Sequence, residues 1–182
     1  MSKIKNNVVY VVIILLLLIS VILNISLSKN LKDVFNYESQ CLVNVADYNS
    51  DLSEVVNGSK ENESKNEAIY NAKEQWDNLR GFMINSRNYT LNTGLLRKYL
   101  SKVDGTMINI SDNLNDILLK DVKDLEKEDK DFLNKFINLT SSIQKEGSNM
   151  RSKVNFILPI YTSFRVKDNL NNIVDVIIGS QI

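Results

Sequence analysis

Between Lys3 and Asn30 the sequence reads KIKNNVVYVVIILLLLISVILNISLSKN, and no other segment limits the fold as tightly. From Val8 to Leu23 there is no charge, and Tyr10 and Ser20 are the only interruptions. Extension to Leu27 adds Asn24, Ile25 and Ser26. A helix over residues 8–27 has a length of about 30 Å at roughly 1.5 Å per residue, which matches the core of a bilayer. A buried core helix is the alternative, but a helix that meets water needs a polar face, and this run is apolar on every side. The pattern predicts a transmembrane helix over residues 8–27, preceded by a short cytoplasmic tail at residues 1–7.

Export signals of the cleaved type end in small residues with an A-x-A-like pattern. Here Asn24-Ile25-Ser26-Leu27-Ser28 follows, without alanine, and Cys41 lies too far along for a lipoprotein anchor. The expectation is an uncleaved signal anchor. Lys3 and Lys5 precede the run while Lys29 and Lys32 follow it, so the positive-inside asymmetry is almost nil. The short leading segment is the easier end to leave inside, which places the N-terminus in the cytoplasm and the C-terminal domain outside, in a single-pass cell-membrane protein.

Beyond Asn30 the apolar pattern has a helical period. Leu31, Phe35, Glu38, Leu42, Val45, Asn49, Leu52 and Val56 recur at four- and three-residue steps, and Val34, Cys41, Tyr48 and Val55 flank that seam. So wide a stripe suits a bundle helix better than a two-stranded coiled coil. Glu38 and Asn49 interrupt the seam as polar guests. No glycine or proline separates this helix from the apolar run, so the two are expected to be continuous. NGSKENESKN, from Asn57 to Asn66, reads as an exposed connection. A second helix carries Ile69, Ala72, Trp76, Leu79 and Met83 on one face, with Phe82 beside them. A turn at Asn92–Gly94 leads to a third, with Leu96, Leu100, Val103, Met107, Ile110, Leu114 and Ile117. Gly105 within it is expected to allow a close approach. The charge-dense KDVKDLEKEDKDF, from Lys120, reads as a corner before a fourth helix with Leu125, Phe132, Phe136, Leu139 and Ile143, which Gly147 is expected to break or bend. Pro159 ends what precedes it, and Leu170, Ile173, Val174, Ile177 and Ile178 mark an amphipathic C-terminal helix over 159–182, expected to pack on the bundle. With one proline and six glycines, turn-rich barrels, sandwiches and propellers are excluded. The fold class is therefore all-α: one transmembrane helix, then an antiparallel up-and-down bundle of about four helices over 31–158.

The chain lacks most catalytic chemistry. Histidine is absent, which removes the usual base near neutral pH and the commonest metal ligand. Ser26–Lys29 has Ser-x-x-Lys spacing, SDN stands at Ser111–Asn113 and NTG at Asn92–Gly94 stands where a Lys-Thr-Gly would be sought, but the order and the missing lysine of that last motif do not fit the penicillin-recognising pattern. The acids of the 120–131 region are interleaved with lysines and form no EF-hand loop. No enzyme activity, cofactor or metal is expected. Lys+Arg and Asp+Glu both number 22, so no basic field draws in nucleic acid. Cys41 is the sole cysteine; it reads first as a small buried hydrophobe and secondly as half of an interchain disulfide.

Two functions fit this inventory. The first is a membrane-anchored, non-catalytic interaction or scaffold component of a bacterial envelope, whose partners are the lipid bilayer and either another envelope protein or a second copy of itself. The second is a ligand-sensing bundle that resembles the sensing domains of chemoreceptors in layout only, signalling through a partner. Trp76, Arg80, Arg87, Tyr89 and Tyr99 are its candidate ligand-binding residues, since helix bundles hold ligands between helices.

Overall fold

A computed structural model gives the three-dimensional structure. It describes the backbone of residues 2–85, 94–153, 159–180 and 182, and the side chains of 10–26, 32–33, 35–85, 101–151, 168–180 and 182. The elements are α1 (Ser2–Glu38), α2 (Gln40–Asn44), α3 (Asn49–Val56), α4 (Asn62–Asn85), α5 (Gly94–Leu118), a single 3-10 turn (Val122–Asp124), α6 (Lys127–Lys153) and α7 (Pro159–Gly179). No strand occurs among the described residues.

As expected, α1 passes without a break from the apolar run toward Phe35, because nothing in 28–38 interrupts its backbone hydrogen bonding. The seam predicted to follow as one helix is instead divided in two places. Ser39 is fully buried, and its N–H bonds to the Phe35 carbonyl at 2.8 Å as α1 closes. A turn at 45–48 then separates α2 from α3. α3 ends where Gly58 adopts φ +72. The Gly58 N–H bonds to Val55 O and that of Ser59 to Glu54 O, which satisfies two terminal carbonyls in the manner of a Schellman cap.

Buried side chains follow the predicted stripes. Phe35, Leu42, Leu52 and Val55 of the first three helices meet Ile69, Trp76 and Leu79 of α4 and Val103, Met107 and Leu114 of α5 in one core. Two α4–α5 contacts fix their direction. The Trp76 indole N–H donates to Met107 O at 2.9 Å, and Arg80 pairs with Asp104 at 2.6 Å. α6 runs antiparallel to α2 and α3: Gln144 reaches Val43 O, and Asn49 reaches Ile137 O and Ser141. Asn49 also accepts from the buried Thr140 hydroxyl at 2.9 Å. The polar guest in the seam thus has its partners on α6.

Three features differ from the sequence expectation. α4 begins at Asn62, inside the stretch read as an exposed connection. α6 runs straight through Gly147. The close approach expected at Gly105 lies at Gly147: a Cβ there would stand 2.6 Å from Leu42 Cβ, while one on Gly105 would meet nothing within 4 Å. α7 is the C-terminal helix expected beyond Pro159, and it packs on the bundle as expected. Leu170, Ile173 and Ile177 are fully buried and α7 packs on both α5 and α6. Pro159 opens it, where a helix needs no N–H donor.

The N-terminal half of α1 stands apart. Every large apolar side chain described between Tyr10 and Ile25 is 47–64% exposed, on all sides of the helix. Among the described residues no helix is long and apolar enough to cross a membrane. The described side chains of this stretch run only from Tyr10 to Ser26, inside the 8–27 run.

Candidate functional site

Three regions gather polar and reactive groups, and the first two hold ones singled out from the sequence. The first is the bundle interior around Trp76. Its indole is fully buried, edge-on to Phe136 with ring centroids 5.4 Å apart. Arg80 sits one turn on, half-buried, with its Nε on Asp104. Arg87 and Tyr89 lie outside the described residues. Tyr99 falls in α5, and its side chain is outside them too. Of the five candidate ligand-binding residues the structure thus places Trp76 and Arg80, and both use their polar groups within the bundle. Ser111, of the SDN fragment, donates to Asp77 at 3.0 Å on the same α4–α5 seam.

The second region is a groove of about 500 Å³ where α1 and α2 meet α4. Tyr37, Glu38, Gln40, Cys41 and Asn44 line one side and Gln75, Asn78, Phe82 and Asn85 the other. Gln40, Asn44, Gln75, Asn78 and Asn85 lie beside the buried stripes rather than on them, which is why carboxamides crowd it. Tyr37 is 85% exposed at its rim. Gln40 donates to Asn44 at 2.7 Å and accepts from Arg151 at 2.5 Å. Cys41 is half-buried and its thiol donates to Glu38 O at 2.9 Å. Burial, reinforced by the Glu38 charge against the opposing pull of backbone hydrogen bonds, pushes the thiol up to about 12. The thiolate is the form that attacks a disulfide, so in this setting Cys41 is a poor nucleophile.

The third region closes the opposite end of the bundle. Lys65 is fully buried, and its ammonium donates to Ile117 O at 3.1 Å, Leu118 O at 3.2 Å and Lys120 O. Those carbonyls end α5, so a cation sits where the helix dipole is negative. Burial lowers the Lys65 pKa, and the Asp121 charge partly restores it. Asn62 bonds to the Val122 N–H and to Asp121, and Lys120 grips both oxygens of Asp129 at 2.7 and 2.9 Å. Asp129 in turn accepts the Glu126 N–H at 2.9 Å, capping α6. Sequence reasoning missed this cluster. The available signal was spacing: Lys65 stands four residues before Ile69, on the face that continues through Ala72 and Trp76. Among the described residues no group of three or more acidic, cysteine or histidine side chains stands ready to hold a metal ion.

The groups brought together here bind helix to helix. Asp129 is occupied by Lys120 and the Glu126 N–H, Asp121 by Asn62 and Lys123, and burial raises the pKa of the one thiol. The chain matches no protein-family model, no curated protein and no solved structure.

Proposed function

We propose that the chain is a membrane-anchored, non-catalytic helical protein, with α1 held in a bacterial cell membrane and the α2–α7 body on the extracytoplasmic side as an interaction or scaffold component of the envelope. The observation that carries this reading is α1 itself. Its apolar residues face outward all round, with none of the polar face that a water-exposed helix needs, and it enters the body as one unbroken helix. In water such a surface is far larger than the apolar patches that soluble monomers expose. In hydrocarbon every one of those side chains is in a favourable solvent, and the backbone bonds of the helix are satisfied internally.

The interaction role draws on the same continuity, since a rigid passage from span to body holds the body at a fixed distance and orientation from the bilayer. Its partner is another envelope protein or a second copy of the chain. Reporter fusions after Ile182 test the topology: a periplasm-type reporter is active and a cytoplasmic one silent. Crosslinking in cells tests the partner: a discrete adduct is expected, and a chain that anchors correctly yet captures no neighbour overturns the scaffold role.

The ligand-sensing alternative is favoured by one observation, the carboxamide-lined groove beside the exit of α1. A ligand wedged between α2 and α4 there sits where a shift of α1 would be felt. Ligand-dependent thermal shifts of the full chain, abolished by Gln75→Ala with Asn78→Ala, would support it over a purely structural role.

A further inference from the structure

Ser20 and Asn24 are the only side chains between Val11 and Ile25 that form ordinary hydrogen bonds, and they stand one turn apart on one face of α1. Both are exposed. The Asn24 amide donates to Ser20 O at 2.8 Å, a carbonyl of its own helix. A carboxamide offers a second donor and an acceptor oxygen beyond that bond. Beside these two residues the helix surface has a depression of about 320 Å³, lined by Leu16, Ile19, Ser20, Leu23 and Asn24. Leu16, Ile19, Ser20 and Leu23 stand at i, i+3, i+4 and i+7, the spacing of the four residues that make one hole for a knob from a facing helix. Ser20 has the short side chain of the four, which opens the hole.

The body of the chain does not fill this hole. Leu16 is 60%, Ile19 52% and Leu23 63% exposed. In hydrocarbon a hydroxyl or amide turned toward lipid meets no hydrogen-bonding group, and polar side chains of membrane helices face other helices for that reason.

We propose that this face of α1 is the seat of a second copy of the chain, packed parallel to the first about a two-fold axis. The proposal rests on the membrane-anchored reading above and names its partner. All copies enter the bilayer in the same direction, so Ser20 and Asn24 of one lie at the depth of Ser20 and Asn24 of the other. An amide both donates and accepts, so two Asn24 side chains across a two-fold axis satisfy each other. Leu16 and Leu23, which rim the hole, are themselves the kind of apolar knob that such a hole accepts, so the face is complementary to itself. A parallel pair along α1 also keeps each body at the distance and orientation that the unbroken helix sets.

Cysteine scanning of the full chain tests this, in a Cys41→Ala background and in the membranes of the expressing cell. Leu16→Cys and Leu23→Cys probe the face. Leu18→Cys and Ile25→Cys lie two residues on from them, about 160° round the helix. Oxidation with iodine is expected to give a disulfide-linked dimer at Leu16→Cys and Leu23→Cys in at least about fivefold greater yield than at the two opposite positions. In liposomes of the purified chain, Asn24→Leu is expected to lower by about threefold the lipid dilution at which the Leu16→Cys crosslink falls to half, the scale of one interhelical hydrogen bond in a bilayer, while Asn24→Gln keeps the parent value. Equal yields around the helix, or an adduct with a different protein at the face positions, overturns the pairing, and resistance of the same membranes to alkaline carbonate then shows that the anchor stands. Release of the chain by carbonate overturns the anchor and the pairing together.

Discussion

α1 and α5 are both rich in apolar residues, yet they meet opposite surroundings. In α5, Val103, Met107, Ile110, Leu114 and Ile117 recur at three- and four-residue steps and are at most 2% exposed. In α1, Val11 to Leu18 are consecutive and all are about half-exposed. The total apolar content does not separate the two; its angular distribution does. A stripe can be covered by neighbouring helices of the same chain, while the rest of the helix stays in water. A belt leaves no face for water, so it needs cover on every side, from surrounding protein or from a lipid phase.

The largest expected effect comes from breaking the striped side of that comparison. Trp76→Ala empties the centre of the core and leaves the space facing Phe136 unfilled. A loss of about 3–5 kcal/mol is expected, read by chemical denaturation of the detergent-solubilised chain. Next comes the belt. Leu17 is 61% exposed and lies on α1 alone. If α1 is the membrane anchor proposed above, Leu17→Lys costs about 2.5–3.5 kcal/mol of insertion, seen as release of the chain by alkaline carbonate, while the unfolding midpoint of the body stays where it was. Equal destabilisation of the body would mean that α1 packs on the bundle, and the contrast between belt and stripe would fall.

Lys65 sharpens the comparison from the polar side, as a charge inside a stripe. Lys65→Met keeps the length of the stem but leaves three carbonyls at the end of α5 without their donor. A loss of about 2 kcal/mol near neutral pH is expected, the scale of a charged hydrogen bond. Its pH dependence has a definite sign. Burial lowers the folded-state pKa below the ordinary 10.5, so just below pH 10.5 the unfolded chain binds the proton more tightly than the folded one. The contribution of this group to stability therefore rises with pH through that alkaline window. Lys65→Met should lack the rise, and parallel pH profiles for parent and variant would show that the ammonium is not held as described.

How much of this was legible in the sequence depended on distance along the chain. The stripes of α4, α5 and α7 could be read because a period needs only neighbours within one helix. Lys65 was hidden by its company: NGSKENESKN is polar throughout, and only the four-residue step to Ile69 marks Lys65 as belonging to the buried face. Asn49 could be recognised as a guest in the seam, but its partners on α6 lie 88 to 92 residues away. No local pattern encodes a pairing at that separation. The same holds for the groove beside Cys41, whose two walls belong to helices that the sequence alone does not bring together. The proposed ligand-binding residues were chosen by residue type, and type does not reveal that the Trp76 N–H is already taken by Met107.

The smallest effects come from two glycines that look alike in the sequence and differ in the fold. Both sit inside helices, where replacement by alanine is worth up to about 1 kcal/mol in propensity. Gly105 is exposed with open space around its Cα, so Gly105→Ala should stabilise by close to that amount. At Gly147 the added methyl would stand 2.6 Å from Leu42 Cβ and 3.1 Å from Leu42 O. Backbone and Cβ cannot swing aside as a flexible side-chain tip can, so α2 and α6 must separate. The strain of such overpacking, about 1–3 kcal/mol, exceeds the propensity gain, and Gly147→Ala should destabilise on balance. Thermal denaturation of the two variants side by side gives shifts of opposite sign if α6 is pressed on α2 through Gly147. Stabilisation by both would place the helices farther apart there and remove the one close approach assigned between them.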